Sequence, residues 1–79
     1  MNKEVINDEE FDLICKYLKI RYESKISQRE LASKVGIAQS TIARMEKNMH
    51  SMSIGNFCKL LSVFGYKLDI IELETNKSR

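Results

Sequence analysis

Gln39, Ser40 and Arg44 are the residues of this 79-residue chain whose types and spacing promise chemistry. At about 100° per residue they share one helical arc with Ala43 and Lys47, while Ile42 and Met45 point the opposite way. The interior of a small protein has no use for an amide, a hydroxyl and a guanidinium placed side by side. They are the groups that hydrogen-bond to base edges in a duplex: Gln is matched to adenine, Arg to guanine and Ser to either. Arg44 is equally suited to a phosphate, a contact that fixes position without reading sequence. Thr41 sits on the flank of the arc, and Lys47 continues it outward.

Two short helices and a tight turn must hold that arc in place. Ser27 and Glu30 have the S-x-x-E spacing of a capping box, in which hydroxyl and carboxylate each satisfy a free backbone donor at a helix start. The spacing predicts a helix over 27–36, its first turn beginning at Gln28. Leu31, Ala32 and Val35 give it one buried stripe, and Gly36 supplies the positive backbone angle on which helices commonly end. After a turn from Gly36 to Ala38 the outward-facing helix covers 38–47. Helix, short glycine-containing turn, helix is the helix-turn-helix pattern.

Gln28, Glu30, Leu31, Ala32, Gly36, Ile37, Ser40, Ile42, Arg44 and Glu46 stand where the Cro and lambda-repressor (XRE) family has its recurring TQ-x-E-L-A … G-V-S-x-S-T-I-S-R-x-E. The resemblance runs without a gap and covers residues 17–66. It implies a mostly α, lambda-repressor-like helix-turn-helix domain of four helices with double-stranded DNA as partner. Gln39 resembles the family's principal base-reading residue, with Ser40 and Arg44 beside it. Gln28 resembles the glutamine that anchors a phosphate at the start of the supporting helix; Ser27, Thr41, Lys47 and Ser51 complete the candidate phosphate contacts. Arg21 and Glu46 match an ion pair that ties the end of the first helix to the end of the reading helix. Two positions depart from the pattern: Ala38 replaces the usual Ser or Thr cap, and Asn48 replaces a glycine region.

Composition agrees with a single domain over 1–79. A chain of this length buries only about 60% of its unfolded surface, so oligomerisation would help it. It has no proline, three glycines and 43% apolar residues, which excludes a disordered chain or a linker. Thirteen basic residues against eleven acidic leave a net charge of +2, which neither requires nor excludes a nucleic acid. Cys15 and Cys58 lie in apolar helical patterns without a second cysteine at ligand spacing, and His50 is the only histidine. No metal site, cofactor or disulfide is expected. The absence of a leader pattern or a long apolar run points to a cytoplasmic protein and no membrane.

Outside the central motif, Asp8 is read as the N-cap of a first helix over 8–24, with Glu9 and Glu10 in its first turn. This helix has two apolar stripes. The resemblance implies that Leu13, Tyr17 and Ile20 face the core; Phe11, Ile14, Cys15, Leu18 and Tyr22 are left for the C-terminal segment or a partner. Asn48 is the expected left-handed cap after the reading helix. Ser53 can cap a fourth helix over 53–64, with Ile54, Phe57, Leu60, Leu61 and Phe64 inward. From Tyr66 the apolar period shortens to two, predicting a strand over 67–73. A lone strand has unpaired edges, and pairing with the same strand of a second subunit removes them. Gly65-Tyr66-Lys67-Leu68-Asp69-Ile70 is similar to the G-Y-x-L-x-I strand of HipB-like antitoxins. Residues 1–7 read as a frayed start and 75–79 as a loose polar end.

These observations point to a sequence-specific DNA-binding transcriptional regulator, a repressor that binds an inverted-repeat operator as a homodimer. Two rivals keep the fold: an antitoxin that binds a toxin protein and represses its own operon, and a protein-interaction module without DNA binding. An enzyme has least support, since no nucleophile with a base and no glycine-rich phosphate loop is present.

Overall fold

Three of the four helix starts are fixed by a side-chain oxygen that accepts a backbone N–H three residues on. Asn7 accepts from Glu10 at 2.8 Å, Ser27 from Glu30 at 3.0 Å and Ser53 from Asn56 at 3.1 Å. The helices that follow are α1 (Asp8–Ser24), α2 (Gln28–Val35), α3 (Gln39–Asn48) and α4 (Ile54–Val63). The structure is a computed structural model and describes residues 7–73. The N-cap of α1 is thus Asn7 rather than Asp8, which is the first helical residue and joins Glu9 and Glu10 in the acidic first turn. α2 and α4 are each one residue shorter at both ends than 27–36 and 53–64, because their caps stand outside the helix. Of the frayed start expected over 1–7, Asn7 is instead held as the cap of α1, while residues 1–6 and the loose end at 75–79 lie outside the described residues.

Left-handed backbone ends the first three helices, at Lys25, Gly36 and Met49. Asn48 remains helical, and Met49 takes the positive φ of 53° that Asn48 was expected to adopt. Met49 packs its side chain against the core. That contact offsets the strain of placing a non-glycine residue there.

The core draws on every helix: Ile14 and Tyr17 from α1, Leu31 and Ala32 from α2, Ile42 and Met45 from α3, and Phe57, Leu60 and Leu61 from α4, with Ile37 in the turn. α2 packs against both α3 and α4. Tyr17 and Phe57 meet with ring centroids 5.9 Å apart, within the favourable range for a tilted aromatic pair. The buried line of α1 is Ile14, Tyr17 and Arg21, so the helix is turned between the two expected stripes. Leu13 is exposed and Ile20 half-buried. An apolar count cannot find this orientation, because one of the three inward residues is an arginine. Ile54 is also exposed rather than inward; it occupies the first position of α4, ahead of the turn that meets the core.

Gly65, at φ 85°, turns the chain out of α4, and the Tyr66 N–H closes on the Leu61 carbonyl at 3.0 Å. Residues 66–73 then run without regular structure. The strand expected over 67–73 is therefore not formed within one chain. Its ladder bonds need a neighbouring strand, and among the described residues no backbone–backbone hydrogen bond reaches 67–73. Leu68 is the half-buried exception, packed against the core and lining one pocket with Leu13, Ile14 and Phe57. Among the described residues no helix is long and apolar enough to cross a membrane, and Cys15 and Cys58 are free thiols.

Candidate nucleic-acid interface

Helix α3 divides cleanly by face. Ile42, Met45 and Glu46 are buried, while Gln39, Ser40, Arg44 and Lys47 are all exposed; Thr41 and Ala43 are half-buried between them. The outward face carries two cations and no acid. Its N-cap, Ala38, makes no side-chain hydrogen bond, and its carbonyl accepts from the Thr41 and Ile42 amides at 3.0 and 3.3 Å. The first turn of α3 is thus held by backbone alone.

What orients the helix is the inward carboxylate of Glu46. Arg21 grips it in a fork, Nε to Oε2 and Nη2 to Oε1, each at 2.8 Å. The Tyr17 hydroxyl donates to Oε2 at 2.5 Å and the Gln28 amide nitrogen to Oε1 at 2.9 Å. Four donors from two helices therefore satisfy one carboxylate on a third. Arg21 spends its remaining Nη1 on the Ile26 carbonyl at 2.8 Å. The guanidinium carbon lies 4.8 Å from the centroid of the Tyr22 ring, within cation–π range.

The cluster lies deep: Tyr17 is 0% exposed, Arg21 7% and Glu46 9%. Burial pushes the Tyr17 hydroxyl well above its ordinary range, and its hydrogen bond to Glu46 and that group's negative charge add to the effect. For Arg21 burial acts downward, but the hydrogen bond and charge of Glu46 outweigh it and hold the guanidinium above its usual value. Both groups keep their protons throughout the neutral range.

The other sequence-derived candidates are more dispersed. Ser27 caps α2. Gln28, expected at a phosphate, is half-buried with its amide nitrogen on Glu46. One N–H of that nitrogen remains for another acceptor. Ser51 donates its hydroxyl to Glu10 at 2.6 Å, which ties the α3–α4 connection to the start of α1 and sets a carboxylate where a phosphate was expected. Thr41, Arg44, His50 and Ser51 line one shallow depression beside α3. Tyr17 is the site residue that sequence reasoning missed. Its signal was the i, i+4 spacing to Arg21, which puts both side chains on one helix face and within reach of one acceptor.

A family model described as helix-turn-helix matches residues 16–71 of the chain. Among solved structures, a HipB–O1–O2 complex superposes with a TM-score of 0.71 at 24% identity, over 90% of this chain and all of that one. At that identity the likeness is one of fold. No curated protein matches the chain.

Proposed function

The chain belongs to the XRE-type helix-turn-helix family of DNA-binding regulators, and on that premise we propose that it is a repressor that binds an inverted-repeat operator as a homodimer. Each copy lays α3 in a major groove. The two reading helices are spaced about 34–36 Å apart, one turn of the duplex. Gln39 and Ser40 read base edges; Arg44 reads guanine or holds a phosphate. Lys47, Thr41, Ser27 and the free N–H of Gln28 meet the backbone. Ser51 reaches a phosphate only by releasing Glu10. Occlusion of the promoter is the mode of action.

The observation that carries this reading is that every anchoring contact of α3 is inward while its exposed side chains are polar and cationic. Operator fragments selected from random DNA supply the test. Gln39→Ala is expected to cost about 1–3 kcal/mol on the selected site and to relax discrimination at one base pair, with little change on random duplex. Equal losses on both duplexes overturn the assignment.

A second reading, an antitoxin, is favoured by the exposed apolar residues of the tail, which a toxin protein could cover instead of a second copy. A stable protein partner that co-purifies with the chain decides for it.

A further inference from the structure

The tail carries a pattern that specifies its own partner. Tyr66, Ile70, Ile71 and Leu73 are exposed apolar residues, and Lys67 and Asp69 are exposed charges between them. The Ile70 N–H is met by the Asp69 side chain at 2.7 Å, a local stand-in for a ladder bond. Tyr66, Leu68 and Ile70 alternate with Lys67 and Asp69, so in an extended chain the first three share one face and the charges the other.

We infer that residues 66–70 pair with the same residues of a second copy in an antiparallel register centred on Leu68, setting Lys67 opposite the partner's Asp69 and Tyr66 opposite the partner's Ile70. This deepens the homodimer reading and rests on it. A two-fold axis through an antiparallel ribbon keeps each residue on its own face, and directly opposed residues share a face. The axis therefore passes through a residue paired with itself, which leaves few registers. Centred on Lys67 or on Asp69, like charges stand directly opposed, which is destabilising. Centred on Ile70, Asp69 faces Ile71, Lys67 faces Leu73 and Glu72 faces Leu68. Centred on Ile71, Ile70 faces Glu72 and Asp69 faces Leu73. Of these, only the Leu68 register pairs Lys67 with Asp69 and each apolar side chain of 66–70 with another; Ile71 and Glu72 then fall opposite Gly65 and Phe64, at and beyond the end of the ladder.

That register also fits the fold. Leu68 is half-buried against its own core, so the apolar face of the ribbon lies toward the helices and the charged face toward solvent. Gly65, where the chain turns out of α4, stands at the end of the ladder. A one-residue slip would reverse the faces.

Sedimentation equilibrium on the full chain tests it, with circular dichroism to confirm that these exposed substitutions leave the helices intact. Lys67→Asp and Asp69→Lys are each expected to weaken the dimer about tenfold, because each turns two symmetric attractions into repulsions, and the double swap restores the dissociation constant to within about threefold. Asp69→Asn is expected to weaken it as well. If Asp69→Asn tightens the dimer, the register centred on Asp69 is correct and ours is overturned. A wild-type dimer indifferent to both single swaps, or one that the double swap fails to restore, overturns the register while the dimer stands. A wild-type chain that stays monomeric removes the dimer reading, and the register with it.

Discussion

Glu46 and Ile70 are both out of their usual places: a carboxylate 9% exposed inside the fold and an isoleucine 94% exposed outside it. The two inversions differ in how they are resolved. Around Glu46 a single chain supplies everything the group needs, a forked guanidinium, a phenol and an amide on two oxygens. Burying a charge is tolerable only with that degree of pairing and hydrogen bonding. Along residues 66–73 only Leu68 packs against the core, Tyr66, Ile70, Ile71 and Leu73 stay exposed, and among the described residues no backbone–backbone hydrogen bond reaches 67–73. One region is satisfied within the monomer, and the other leaves its apolar side chains exposed.

The comparison can be broken first at the cluster. Arg21→Ala leaves Glu46 buried without its counter-charge and is expected to cost about 3–5 kcal/mol in chemical denaturation. A loss below about 1 kcal/mol would mean the pair behaves as a surface salt bridge. Tyr17→Phe removes one donor to a charged group and should cost about 1–3 kcal/mol. The same variant sharpens the pH dependence. Native Tyr17 keeps a proton that the unfolded chain releases near its ordinary value of about 10, so stability is full below that value and falls as pH rises beyond it. Thermal melts of the wild type from neutral to alkaline pH should show this decline, and Tyr17→Phe should lose that part of it. The smallest effect is expected at the tail: Ile71→Ser in dilute, monomeric protein should change unfolding free energy by less than about 0.5 kcal/mol. A larger loss would show that the tail belongs to the monomer's core.

Much of this was legible in the sequence because the signals were local. Ser27 and Ser53 announce their helices through spacing alone, and Gly36 marks its turn by a conformation that side chains resist. The Arg21–Glu46 pair came from family resemblance, since 25 residues separate the partners and no local pattern connects them. What could not be read was rotation and partnership at long range. Apolar periodicity offered α1 two stripes, and its true inward line includes a charge that periodicity counts as outside. Gln28 was aimed at a phosphate because its amide suits one; its reach to Glu46 depends on how α2 packs on α3. The choice of Asn7 over Asp8, and of Met49 over Asn48, turns on one residue of backbone geometry that competing side chains make ambiguous. The strand over 67–73 is read from alternating apolar residues, and periodicity alone does not supply the neighbouring strand that ladder bonds need.

The carboxylate that holds α3 has a further bearing on how such a protein can diverge. Because its orientation is set wholly from behind, the side chains in front answer to no structural demand, and Gln39, Ser40 and Arg44 can be exchanged for others while the scaffold stays as it is. Under the proposed function, a lineage built on this arrangement could change its target sequence by a few surface replacements, and an engineer could do the same by transplanting three or four residues.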